Sequence, residues 1–315
     1  MRLVLSKQWA RTFTTSAKAT GSLFSTVQLH RSHVPPSSLT LASLVMDTPR
    51  GTYAEYTVAP SNTVFHIPDS MSYEEAATIP LAAYTAAVGL FRNLRSPLPF
   101  ERTDEKGAEG TDKIPLVING AFSAVGAFAV KLAKLNSNIY PIVGVAGASA
   151  AFPEEVGVHV VVDYRGSDVA GEIGKALGGK KVAHVFDAAN TKESVTYFVP
   201  VMAEKVRYTS TLPVGGGGIY GTGEQKAMLD KHGAWYEQVW VGSVHTDKPE
   251  GGSLFGRVMS AVFEESIKAG KFSGQPYEIV EVGLHGVREA LEQQRYRKGG
   301  NNKKFVTRIA DTEGL

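Results

Sequence analysis

Residues 114–135, IPLVINGAFSAVGAFAVKLAKL, decide the fold, because an apolar run stops there at a glycine turn and restarts with helical spacing. Ile114, Leu116, Val117 and Ile118 read as a short parallel strand buried on both faces. After the turn, Val125, Phe128, Ala129, Leu132 and Leu135 recur every three or four residues and lay an apolar stripe along a helix. Gly120 is expected to make the tight bend, and Gly126 to let the helix pack closely on the strand. Backbone N–H groups at the helix start would then face outward, where the positive end of the dipole can take a pyrophosphate. The turn departs from G-x-G-x-x-G, since Ser123 stands at the place of the middle glycine. A tight strand-to-helix connection without a ligand is the alternative reading.

Working outward, strands are expected at 139–145, 158–162, 182–186, 206–212 and 236–244, with helices at 80–91, 152–156, 168–177, 192–203, 254–269 and 283–294. Strands alternating with helices predict an α/β fold, a Rossmann doubly wound parallel sheet. In the helix at 254–269, Leu254, Val258, Val262 and Ser266 fall on one line. Residues 214–223, VGGGGIYGTG, lack both the lysine of a P-loop and an immediately preceding strand, so they read as a loop. Alternation at 51–58, then Phe65-His66-Ile67-Pro68 and the terminal 277–280 and 304–309, read as further strands, and Ser72 as an N-cap. The basic cluster Arg295, Arg297, Lys298, Lys303 and Lys304 reads as a solvated turn.

Residues 1–46 hold Arg2, Lys7, Arg11, Lys18 and Arg31 and no Asp or Glu. They fit a mitochondrial presequence, a disordered tail or a mis-assigned first exon, and are not expected to form strands. The location implied is cytoplasmic or mitochondrial. The formal net charge of +2 suggests no nucleic-acid partner, and no apolar run is long enough to span a membrane. With no cysteine there is no disulfide, thiolate nucleophile or Cys-containing zinc site, and no His-x-x-x-His pair offers another metal site.

Several segments in fixed order resemble the medium-chain dehydrogenase/reductase superfamily, in particular its zinc-free quinone oxidoreductase and enoyl reductase branch in fungi. They are GTYAEY at 51–56, IPLAAYTAAVGL at 79–90, LVINGAFSAVG at 116–126, VVDYR at 161–165, VGSVHTD at 241–247, FSGQPYEIV at 272–280 and KKFVTRI at 303–309. The resemblance implies a GroES-like catalytic domain around a central Rossmann domain, with NADPH in the cleft between them. Residues 50–80 and 271–315 would be a partial GroES-like β domain, 81–270 the NADP-binding domain, and 1–49 would lie outside both. It also implies that Ser123, Ala124, Val125 and Gly126 hold the pyrophosphate, that Thr85 lies near the nicotinamide, and that Leu212 and Pro213 line its pocket.

The adenosine side bears on cofactor choice. The second strand ends Val145-Ala146-Gly147-Ala148-Ser149, with no acid to take ribose hydroxyls or repel a 2′-phosphate, so NADP(H) is expected over NAD(H). Gly147 and Ser149 would border the phosphate, and Tyr164 and Arg165 follow the third strand where they could reach it. The activity implied is hydride transfer from NADPH to a quinone or an enone/enoyl acceptor, a small-molecule substrate. The alternative is a non-catalytic NADPH-binding protein. No residue is assigned as catalytic; Tyr53 and Tyr56 are candidate proton donors, with structural roles as the other reading. Residues 236–244, at a sheet edge, are where a homodimer would pair.

Overall fold

The computed structural model describes the strands Thr12–Thr15, Leu29–His30 and Thr40–Ala42, Tyr53, and residues 59–101, 113–147, 156–214, 223–248, 250–296 and 303–314. The chain divides into two compact units, Thr85–Trp240 and Met1–Tyr84 with Val241–Leu315.

In the unit Thr85–Trp240 the strands are β1 (Ile114–Asn119), β2 (Ile139–Ala146), β3 (Val160–Asp163), β4 (Val182–Asp187), β5 (Met202–Ser210) and β6 (Trp235–Gln238). They form one sheet in the order β6-β5-β4-β1-β2-β3, and every neighbouring pair is parallel. The chain builds outward from β1 to β3, returns and builds outward the other way, which is the Rossmann arrangement. The strand order therefore reverses between β1 and β4, and ligands in such sheets bind beyond the carboxyl ends of the strands at that point. Leu116 to Asn119 are buried, as a strand covered on both faces requires. Helix α1 (Ala124–Ala133) is buried from Gly126 to Val130, beyond the expected stripe. Helix α2 (Val169–Ala176) is capped by Asp168, whose carboxylate accepts from the Gly171 amide at 2.8 Å, and buries Val169 and Ile173.

Some elements differ from expectation. The helix begun at Pro80 is α-helical only to Ala87, then widens over Val88–Asn93 so that the Leu94 amide reaches the Gly89 carbonyl at 2.9 Å. A β-carbon on Gly89 would collide with the Phe186 ring of β4, so the widened turn is pressed directly onto the sheet. The helix expected at 192–203 shortens to Ser194–Phe198, because the tighter turn Val199–Val201 contains Pro200, which has no amide to continue the ladder. The strand expected at 236–244 ends at Gln238, and Val241–His245 is a 3-10 turn; the last ladder bond runs from the Val239 amide to Ser210. The helix expected at 283–294 is a 3-10 turn, Gly283–Gly286, followed by an α-helix, Val287–Tyr296. The helix expected at 152–156 lies outside the described residues except for Val156, as does the glycine loop except for its two ends.

The second unit is the β-rich one. Lys304–Arg308 pairs in parallel with Tyr277–Val280 and antiparallel with Thr12–Thr15, while Val64–His66, Thr40–Ala42 and Leu29–His30 form an antiparallel sheet. The expectation that residues 1–46 form no strand is thus corrected. β-Branched and aromatic residues such as Thr12-Phe13-Thr14-Thr15 suit pairing even without apolar alternation. The strand expected at 51–58 lies outside the described residues apart from Tyr53.

The helix Gly252–Lys268 belongs to this unit, so the boundary falls at Val241 rather than at 270. Its buried face is also not the expected line. Gly256, Met259, Ser260, Phe263 and Ile267 are buried, while Leu254 is 63% exposed. The reason is close packing, since a β-carbon on Gly256 would press on the Val244 carbonyl and the Asn62 side chain. Two helical turns later Phe263 meets Phe65 and Tyr84 edge-on and stacks on Phe272, at ring centroids of 5.7, 5.0 and 5.5 Å. Losing such a buried ring typically costs about 3–5 kcal/mol. Ser72 caps the helix Tyr73–Ala77 as expected, its hydroxyl accepting from the Glu75 amide at 3.1 Å. Glu74 in that helix takes Arg308 at 2.6 Å.

Lys304 departs from the solvated turn expected of it. It is buried, and its ammonium donates to the Thr78 carbonyl at 2.8 Å. Burial lowers its pKa from 10.5 to about 7. The folded state then sheds a proton that the unfolded chain keeps up to its ordinary value. Stability from this group is fully present above pH 10.5, falls as the pH drops, and is lost by about pH 7. Lys304→Met should flatten that dependence, which for one proton reaches about 1.4 kcal/mol per pH unit. Urea unfolding of both chains between pH 6 and 10 checks this, and parallel curves would refute it.

Candidate functional site

The carboxyl edge of the parallel sheet is built by backbone geometry before any side chain acts. Gly120 leaves β1 at φ +69°, its amide donating to the Val145 carbonyl of β2 at 2.8 Å, so the turn is pinned at the sheet. Its own carbonyl accepts from the Ser123 amide at 2.8 Å. A β-carbon on Gly126 would fall inside contact distance of that same carbonyl. The start of α1 therefore rests backbone to backbone on the turn. Ser123 caps the helix, its hydroxyl oxygen accepting from the Gly126 amide at 3.1 Å. Ser123, Ala124, Val125 and Gly126 thus form one continuous cap and first turn at the end of β1, and the serine at the middle-glycine position has a structural task of its own.

The next two strand ends bring Gly147 and Tyr164 together, since a β-carbon on Gly147 would lie 3.1 Å from the Tyr164 ring. Tyr164 is 49% exposed. Arg165 is held by Asp163, with Nε to Oδ1 at 2.9 Å and Nη2 to Oδ2 at 2.7 Å. That guanidinium, with the Arg165 amide, lowers the pKa of the Asp163 carboxyl to about 2. An acid does stand at this corner, at the end of the third strand rather than the second, and Arg165 answers its charge. Ser149 lies outside the described residues.

Leu212 and Pro213 follow β5, and a buried polar cluster fixes them. Asp187, ending β4, is 1% exposed and accepts four hydrogen bonds. They come from Tyr208 Oη at 2.5 Å, Asn119 Nδ2 at 2.9 Å, and the amides of Ala189 and Asn190 at 3.0 and 2.8 Å. Burial, then the neighbouring Asp187 charge, drives the Tyr208 pKa well above its ordinary value, so this phenol is a fixed donor. Asn119 Nδ2 also donates to Ser194 Oγ at 2.9 Å, which accepts from the Thr191 amide at 2.8 Å. Asn190 Nδ2 in turn donates to the Leu212 carbonyl at 3.0 Å. Thr85 sits half-buried on the helix Pro80–Ala87. Of the two tyrosines offered as proton donors, Tyr56 lies outside the described residues, and burial raises the pKa of Tyr53 above its ordinary value, making it a weaker acid.

No family model matches the chain. The trans-enoyl reductase fsr4 of Gibberella fujikuroi is 33% identical over 239 residues, which are 74% of this chain and 65% of that relative. The chain thus spans just under two thirds of that protein's length. Among solved structures, CurK enoyl reductase superposes with a TM-score of 0.68 at 18% identity, over 97% of this chain and 90% of that one. Mycobacterial Rv1454c complexed with NADPH superposes with a TM-score of 0.65 at 15% identity, over 97% and 90%. The chain is thus similar in sequence to a trans-enoyl reductase and shares the fold of enoyl reductases, in keeping with its resemblance to the medium-chain dehydrogenase/reductase superfamily.

At this sheet edge, sequence reasoning missed Asn119, Asp187, Asn190, Ser194 and Tyr208. A signal was present, since Asn119 and Asp187 each end an apolar strand run with a polar group, at adjacent strands where the order reverses.

The close approach at Gly126 predicts that Gly126→Leu destabilises the unit by about 3 kcal/mol or more, the upper end for overpacking against rigid backbone. Ser123→Ala removes only a cap and should cost about 0.5–2 kcal/mol. Denaturant midpoints of the two variants test this ranking, and an unchanged midpoint for Gly126→Leu would refute the contact.

Proposed function

We propose that the chain is a reductase that takes NADPH at the carboxyl edge of the parallel sheet and reduces a carbonyl-conjugated C=C bond or a quinone. The observation that carries this reading is the Gly120–Gly126 turn, which sets a helix N-terminus against β1 where the strand order reverses. Enoyl reductases among the relatives, and an NADPH complex among the structures of like fold, support it. Ser123, Ala124, Val125 and Gly126 would hold the pyrophosphate, with Gly147, Ser149 and Tyr164 on the adenosine side. Thr85, Leu212 and Pro213 would border the nicotinamide. The chemistry that a bound dihydronicotinamide supplies is hydride donation, and the residues named here hold and orient it. Pairing of a second copy along the edge strand β6, beside the exposed Trp235 and Trp240, fits the same reading.

Arg165 is the residue we assign to the 2′-phosphate. Its pairing with Asp163 is solvent-exposed, and exposed ion pairs contribute little, so turning the guanidinium to a phosphate dianion costs little. NADPH should therefore bind more tightly than NADH, and Arg165→Ala should shrink the ratio roughly tenfold, the worth of one charged hydrogen bond. Fluorescence titration with both cofactors gives the ratio. NADPH oxidation in the presence of an enone, an enoyl thioester and a quinone tests turnover; binding without oxidation would leave a non-catalytic NADPH-binding protein. Equal affinity for NADH would overturn the assignment of the cofactor.

A further inference from the structure

We propose that Asn190 is a positioning residue for the nicotinamide end of the cofactor, acting through the backbone of Leu212. The inference rests on the reading above that Leu212 and Pro213 border the nicotinamide. Asn190 has φ +48°, the left-handed region where a side chain is tolerated at a cost and glycine is not penalised. It is 7% exposed, so the side chain has a buried task. Nδ2 donates to the Leu212 carbonyl at 3.0 Å, and the Leu212 amide faces Oδ1 at 3.4 Å. One side-chain amide thus meets both polar groups of one residue, as a neighbouring strand would, just where β5 has ended. Ser210 Oγ adds a second donor to the Leu212 carbonyl at 2.7 Å.

The clamp is anchored at its other end. The Asn190 amide donates to Asp187 at 2.8 Å, and Asp187 is itself tied to Asn119 on β1 and Tyr208 on β5. A chain of hydrogen bonds therefore runs from the middle of the sheet to the wall at Leu212. Its effect should fall on the orientation of the nicotinamide and not on the grip of the adenosine half, which is assigned to other strand ends.

Asn190→Gly separates these effects, because glycine accepts the left-handed backbone while removing both contacts to Leu212. The full chain and the variant are titrated with 2′,5′-ADP, which lacks the nicotinamide, and with NADPH, and the emission of bound NADPH and the melting temperature are recorded. The expected result is an unchanged melting temperature and 2′,5′-ADP affinity, with NADPH weakened roughly tenfold and its emission altered, the scale of losing one or two buried hydrogen bonds. Equal weakening of both ligands, a fall in melting temperature, or no change in either ligand would overturn the positioning role while leaving the cofactor site standing. If the unaltered chain binds 2′,5′-ADP and NADPH equally well, the nicotinamide assignment fails and the positioning role with it. If it binds neither, the cofactor reading itself is wrong.

Discussion

At Gly126 the first turn of a helix lies on the carbonyl of Gly120 with no space for a β-carbon, and this backbone contact sets the geometry of the sheet's carboxyl edge. A side chain there would lift α1 away from β1, and with it the cap at Ser123 and the amides of the first turn. The same turn is tied sideways to β2 through the Val145 carbonyl, which accepts from both Gly120 and Ala121 at 2.8 and 3.2 Å. Strand, turn and helix are therefore one rigid piece. That rigidity is what anion binding at a helix terminus requires, since donors that must reorganise on binding lose affinity to the cost of ordering them.

Across the switch point the same edge is held by a charge. Asp187 is buried, and four donors from two strands and one loop converge on it. Such an arrangement is asymmetric in energy. Complete, it offsets the desolvation of the carboxylate; with any one donor removed, a buried lone pair is left and costs about 1–3 kcal/mol or more. This makes the position of Asn190, and through it of Leu212, a property of the whole sheet and not of a loop alone.

The parallel sheet, the glycine turn and the cap at Ser72 were legible in the sequence because each rests on local pattern: apolar runs, a glycine at a bend, a serine before two glutamates. What was not legible depends on contacts far apart in the chain. The buried face of the helix Gly252–Lys268 is chosen by Asn62 and Val244, so its small residues Gly256 and Ser260 face inward and Leu254 faces water, against simple amphipathic counting. The strand Thr12–Thr15 pairs with a segment near the other end of the chain, and four residues of Thr and Phe carry no signal of that. Of the site, the turn residues could be read in advance, and the polar ends of the β1 and β4 runs gave a signal that went unused; Tyr208 gave none, since a strand tyrosine acquires meaning only when β4 and β5 lie side by side.

The two buried ions show how one chain treats charge according to what surrounds it. Asp187 meets four donors, and its negative charge helps keep the proton on Tyr208. Lys304, equally buried, has one carbonyl acceptor at hand for an ammonium with three hydrogens, and burial lowers its pKa to about 7. A group left so thinly solvated can relinquish its charge, whereas four donors offset the desolvation of a buried carboxylate. A change of pH above about 7 should consequently act on the β-rich unit through the strand Lys304–Arg308.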